Sequence, residues 1–282
     1  MRTGMNLLLW ATHVTEEHFP LFGKLKKTGF DGVEIPLFAG DAAHYRKLRK
    51  ELDNAGLACT AVTTARPEAN PISPDPGLRQ AGLDHIKWAL EMTQILGGDN
   101  LCGPYHSPLA FFTGHGPTDD EKKWGADTLR KAAEAAQQAK VTLCIEYLNR
   151  FECYFLTTAR DAKALVRAVN HPNFRTMYDT FHANIEEKDI AGTIAGFMDV
   201  VGHVHISEND RGTPGTGHVH WDETFKAIRK TGYDGWLVIE AFSRALPDLA
   251  AATRVWRDLF PNVEEVYTEG LRFLKKKWAE AA

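Results

Sequence analysis

Residues 141–152 read VTLCIEYLNRFE. Val141, Leu143 and Ile145 fall on one parity, so the run starts as an apolar strand, and it turns polar at Glu146. An ionised carboxylate at the end of a buried strand loses its hydration. It persists there only if it is paired, hydrogen-bonded or bound to a metal. Three later apolar runs end the same way: FRTMYDTFH at Asp179, VGHVHIS at His205 and GWLVIEAF at Glu240. Two Glu, one Asp and one His, each closing its own strand, form a hard-cation site if those strand ends converge.

Working outward from these runs, short apolar segments alternate with amphipathic ones along the chain. The first run is Asn6–Trp10, the second GVEIPLF (Gly32–Phe38), the third Leu57–Thr63 and the fourth Asn100–Cys102. Between them lie helical patterns stopped at Gly29, Gly56 and Gly97-Gly98. Thr118 is placed to cap an Ala-rich helix running to Lys140, and further helices are expected over Thr158–Val169, Asp189–Met198 and Trp221–Lys230. From Asn262 onward, one or two extra helices are expected to cover the body.

Eight strands, each followed by a helix, predict an α/β fold: a (β/α)8 TIM barrel forming a single domain over residues 1–282. The alternative, an open doubly wound sheet, calls for a Gly-rich phosphate loop after the first strand, and the sequence has no such motif. Barrel active sites lie at the C-terminal ends of the strands, where the four donors fall. The long loops after strands three and four open on that face. The second of these, Gly103–Pro117, carries Tyr105, His106, Phe111, Phe112 and His115, and reads either as a lid over a ligand or as packing against a neighbour. Trp10 and Glu34 are expected to close strands one and two at the same rim, Trp10 as a wall of the pocket and Glu34 as a residue that stands behind the donors or binds a hydroxyl. His203, two residues before His205, reads as a hydrogen-bonded core histidine.

The 282 residues are 44% hydrophobic and 25% charged, an ordinary globular composition. A net charge of −4 gives no electrostatic footprint for nucleic acid. The first apolar run is too short to span a membrane. Cys59, Cys102, Cys144 and Cys153 form no CxxC pair, and three of them sit in strand-like runs, which fits reduced thiols in a cytoplasmic protein.

Five segments carry a family resemblance: SPD (Ser73–Asp75), NRFE (Asn149–Glu152), DTFHANIEE (Asp179–Glu187), HVHISENDR (His203–Arg211) and YDGWLVIEAF (Tyr233–Phe242). With these, the sequence resembles the D-tagatose 3-epimerase and D-psicose (allulose) 3-epimerase family of ketose 3-epimerases, in the xylose-isomerase-like superfamily of barrels. The resemblance implies that Glu146, Asp179, His205 and Glu240 bind one divalent ion per subunit, manganese first, with magnesium or cobalt as alternatives. It implies that Glu146 and Glu240 also serve as the catalytic pair, removing and returning a proton on opposite faces of C3. It assigns Glu152, His182 and Arg211 to the first two carbons of a free ketose substrate, and it implies a homodimer or homotetramer. The donor types alone suit manganese, magnesium or cobalt and leave zinc open.

Three stretches depart from the family in residue type: Met5–Trp10, Thr63–Asn70 and Tyr105–Gly116. The preferred ketose therefore stays open. Glu152 has a second reading, as an ion-pair partner of Arg150. Three other functions compete with the epimerase. A related hydroxypyruvate or inosose enzyme would share the metal donors. A zinc nuclease would need more His ligands and a basic face. A non-catalytic barrel would make at least one of the four donors decorative.

Overall fold

The computed structural model describes residues 1–281; Ala282, the last residue of the expected domain, lies outside the described residues. The chain runs β1 (Arg2–Asn6), α1 (Phe19–Thr28), β2 (Gly32–Pro36), α2 (Ala42–Ala55), β3 (Ala58–Val62), α3 (Pro76–Leu96), β4 (Asn100–Gly103) and α4 (Asp119–Ala139). It continues through β5 (Thr142–Ile145), α5 (Ala159–Val169), β6 (Phe174–Asp179), α6 (Thr180–Glu186), α7 (Ile190–Phe197) and β7 (Val201–Ile206). The last elements are α8 (Trp221–Lys230), β8 (Trp236–Ile239), α9 (Pro247–Thr253) and α10 (Val263–Glu280). All neighbouring strands pair in parallel, and β8 pairs with β1, so the sheet closes as the barrel that the alternation predicts.

Strand parity decides what each side chain meets. Leu143 and Ile145 of β5 face the helices, within the large apolar cluster that includes Leu129, Ala133 and Leu165. Cys144 faces the other way, into a smaller interior cluster with Val62, Cys102 and Met177. Glu146 shares the parity of Cys144, and Asp179 that of Met177, so both carboxylates turn toward the barrel axis. Trp236 fills the barrel floor, and there the chain needs Gly32. A Cβ on Gly32 would stand 2.6 Å from the Trp236 ring and 2.5 Å from the Ala58 carbonyl oxygen.

Local signals set most helix ends. Thr118 and Glu121 form a reciprocal capping box at the start of α4, and Gly29, Gly56 and Gly97 stop α1, α2 and α3. Asn262 caps α10, which packs against both α1 and α8 and closes the helical ring. Only one helix follows Asn262 among the described residues.

The first strand departs from expectation. It is RTGMN, and the run Leu7–Leu9 is a buried 3-10 turn capped by the Asn6 side chain, which accepts from the Leu8 amide at 2.9 Å. A short apolar run carries no periodicity that separates a strand from a buried turn. The short helices α6 and α9 are also additions. No described helix is long and apolar enough to cross a membrane.

Candidate active site

The C-terminal ends of β5–β8 supply the four expected donors, all at most 5% exposed. Glu146 follows β5, its amide bonded to the Gly103 carbonyl at 3.0 Å. Asp179 ends β6 and caps α6: its Oδ1 accepts from the amides of Phe181 and His182 at 2.6 and 3.2 Å. That cap leaves Oδ2 free and sets His182 in the first turn of the helix. His205 Nδ1 lies 3.5 Å from Asp179 Oδ2 and 3.3 Å from Glu240 Oε1.

Donor atoms of Asp179, His205 and Glu240 lie within 4.8 Å of one another, as do those of Glu146, Asp179 and His182. Asp179 Oδ2 and His205 Nδ1 are buried with no hydrogen-bond partner. A buried lone pair on each of two facing groups is what a cation satisfies, so the residues fit a divalent ion. Burial, reinforced by the Glu240 carboxylate, pushes Glu146 well above the usual carboxylate range. Burial acts the same way on Asp179, but hydrogen bonding and charge from His205, together with His182 and Arg211, hold it below its ordinary value.

Beside the donors stands a second group. Asn149 follows β5, and its amide N–H donates to His182 Nδ1 at 2.9 Å, so the ring carries its proton on Nε2. That nitrogen lies 3.6 Å from Glu146 Oε1 and 3.3 Å from Arg211 Nη2. Burial lowers the His182 pKa, which keeps the ring neutral. Arg211 reaches in from the loop after β7 and binds Glu152 with both arms, at 2.6 and 3.0 Å. Its guanidinium lies 4.0 Å from the Phe181 ring centroid and 5.1 Å from that of Phe242. Burial alone would raise the Glu152 pKa, yet the Arg211 charge holds it below the ordinary value.

Arg150 pairs with Glu186 instead, so the alternative reading of Glu152 as its partner is set aside. Glu187, the last residue of DTFHANIEE, caps α5 through the Ala159 amide at 2.8 Å. In the SPD segment, Asp75 caps α3 through the Gly77 amide at 2.7 Å. Arg150, Glu186, Glu187 and Asp75, four residues of the family segments, therefore have structural partners.

Two residues that sequence reasoning left aside or misplaced lie close by. Glu208 is fully buried, and its carboxylate accepts from Asn209 and Val219 amides, the Gly215 amide and the Trp221 indole at 2.7–3.2 Å. It thereby ties together the loop that carries Arg211, whose backbone is left-handed at φ 64°. Its polar neighbours in the sequence hide this role. Glu34, expected at the rim, lies one layer down in the barrel, fully buried. His203 is a core histidine as expected; its Nε2 lies 2.8 Å from Glu34 Oε2, but neither ring nitrogen makes a well-directed hydrogen bond.

The loop after β4 divides. Tyr105 and His106 are fully buried, and burial depresses the His106 pKa to about 3. Phe111 and Phe112 are 43% and 49% exposed. Trp10 is half-buried and tilted against Tyr267, ring centroids 6.0 Å apart. A cavity of about 790 Å³ opens at the opposite end of the barrel around Arg175, Met198 and Tyr233 and includes none of these site residues. A smaller one of about 300 Å³ is lined by Glu152, Phe181, Arg211 and Trp256.

A closed parallel barrel with a buried carboxylate–imidazole cluster at the strand C-termini defines a class of barrel enzymes. The chain belongs to the xylose isomerase-like TIM barrel family, whose model matches residues 22–277, and within it to the ketose 3-epimerases, which are carbohydrate isomerases. It is 31% identical to a ketose 3-epimerase of Arthrobacter globiformis, over 98% of this chain and 96% of that protein. It is 30% identical to a D-psicose 3-epimerase of Ruminiclostridium cellulolyticum, over 94% of this chain and 92% of that one. Among solved structures, an L-ribulose 3-epimerase superposes with a TM-score of 0.94 at 27% identity, covering 99% of this chain and 95% of that chain.

Proposed function

We propose that this protein epimerises free ketoses at C3 with one divalent cation, manganese in the first instance, held by Glu146, Asp179, His205 and Glu240. The observation that carries the reading is the order of donors around the barrel. Asp179 and His205, on the adjacent strands β6 and β7, stand between Glu146 after β5 and Glu240 after β8. A ketose seated over the middle pair meets a carboxylate on each side. The names of the relatives support the substrate class.

When bound, the cation supplies Lewis-acid polarisation of the C2 carbonyl and stabilises the charge of the enediolate. The side chains do the rest. One of Glu146 and Glu240 takes the proton from C3, and the other returns one to the opposite face. Two carboxyl groups in one buried site resist ionising together, so one begins protonated. His182 offers its Nε2 proton to the O1–O2 end of the sugar, and Glu152 accepts from the O1 hydroxyl. Arg211, always charged and held by Glu152, grips substrate oxygens. Phe181 and Phe242 on the guanidinium faces exclude water from that end.

The test is a ketohexose and ketopentose panel in D₂O with chelator-treated protein, with and without Mn²⁺, followed by NMR. Mn²⁺-dependent C3 epimers carrying deuterium at C3 are expected. Aldose product labelled at C1 would replace the reading with aldose–ketose isomerisation, and no exchange on any sugar would overturn it.

A further inference from the structure

Beneath the donors lies a second buried cluster that the proposed chemistry does not use. Glu34 of β2 is fully buried, and its carboxylate gathers partners from four other strands. Oε1 receives the Asn6 amide of β1 at 2.9 Å and lies 2.7 Å from His205 Nε2 of β7. Oε2 receives the Thr60 hydroxyl of β3 at 2.8 Å and the Cys102 thiol of β4 at 3.1 Å, with His203 Nε2 of β7 at 2.8 Å. Glu34, Cys102, His203 and His205 could together surround a cation, since their donor atoms lie within 4.8 Å of one another. The spacings favour a different reading. The 2.7 Å separation of His205 Nε2 from Glu34 Oε1 is that of a charge-assisted hydrogen bond. Asn6 and Thr60 moreover direct N–H and O–H donors at both carboxylate oxygens.

We propose that Glu34 is a positioning residue for His205: it accepts the Nε2 proton, fixes the tautomer, and so leaves the Nδ1 lone pair facing Asp179 and Glu240. The inference rests on the reading of His205 as a metal donor. The two nitrogens of one ring then have separate duties, Nε2 bonded downward to Glu34 and Nδ1 free at the mouth. A carboxylate behind a ligating imidazole raises its basicity as well as fixing its orientation, and losing such a partner typically weakens metal affinity about 10–100-fold. Cys102 and His203 complete the carboxylate's surroundings and carry no metal themselves.

The test is Mn²⁺ titration calorimetry on the full chain after chelation, for the wild type, Glu34→Gln and His205→Asn, with the melting temperature of each metal-free protein. One Mn²⁺ per chain is expected for the wild type, and Glu34→Gln should weaken its binding at least about tenfold. Wild-type affinity in Glu34→Gln, or a lowered metal-free melting temperature with unchanged affinity, would reduce Glu34 to a structural role. Two Mn²⁺ per chain would make the lower cluster a cation site and overturn the proposal. Wild-type affinity in His205→Asn would instead remove His205 as a donor, a failure of the underlying reading that Glu34→Gln alone would not produce. Should Glu34→Gln fail to fold, ¹⁵N-histidine NMR of the Mg²⁺-loaded wild type decides. The Nε2-protonated tautomer of His205 is expected, and the Nδ1-protonated one would overturn the assignment.

Discussion

Arg211 and Glu152 meet across 59 residues of sequence in a two-armed ion pair, Nη1 to Oε1 at 2.6 Å and Nη2 to Oε2 at 3.0 Å, both side chains buried. The pair joins the loop after β7 to the loop after β5, so each partner fixes the other's position at the mouth.

Arg211→Ala would leave Glu152 as an unpaired buried carboxylate, and loss of about 3–5 kcal/mol in a urea melt is expected. Because Arg211 pairs with Glu152 and the strand-end donors sit beyond it, bound Mn²⁺ per chain should stay at the wild-type value while kcat/KM falls roughly 100-fold or more. Metal analysis checks the first part; a variant that emerges without metal would place Arg211 among the groups that hold the ion.

Glu240→Gln removes one of the two proposed proton-transfer groups with little change in volume. The fold should persist by circular dichroism, and turnover should fall below detection in the C3 deuterium assay. Activity near that of the wild type would take Glu240 out of the proton path.

Chelation should lower the melting temperature, and added Mn²⁺ should restore it. A ligand that binds only the folded state stabilises by about 2.7 kcal/mol at one hundred times its dissociation constant. A scan showing no shift in either direction, with no metal in the preparation, would favour a barrel that binds none.

His106 gives a pH prediction. Burial lowers its pKa from 6.5 to about 3, so the unfolded chain takes up a proton that the folded chain refuses. Its contribution to stability is complete above pH 6.5, falls as the pH drops toward 3, and changes by about 1.4 kcal/mol per unit in between. Replacing His106 with Gln should therefore flatten the decline in metal-free melting temperature between pH 6.5 and 5.5. An unchanged slope would show that the ring is accessible to protons in the folded state.

The barrel was legible because β5–β8 end abruptly, each apolar run meeting Glu146, Asp179, His205 or Glu240 where the strand leaves the core. The early strands lack such an edge. GVEIPLF is apolar on both sides of Glu34, so nothing in its period marks how deep the carboxylate lies, and the residue was expected at the rim. Leu7–Leu9 misled for a related reason: three leucines bury equally well in a turn as in a strand, and the true β1 is polar at Arg2 and Asn6. In the loop after β4, Tyr105 and His106 turn inward while Phe111 and Phe112 stay out, a division that composition alone does not encode.

The donors at the mouth all come from the second half of the chain, whereas the carboxylate touching His205 from below comes from β2 and is itself held by β1, β3 and β4. A chimaera that joins the β5–β8 half of this protein to the β1–β4 half of another barrel would inherit all four donors yet lose that support. It would have to regain a carboxylate at the register of Glu34, flanked by an amide and a hydroxyl in place of Asn6 and Thr60. Recombination of this scaffold is thus constrained by horizontal layers across the barrel axis as well as by segments along the chain.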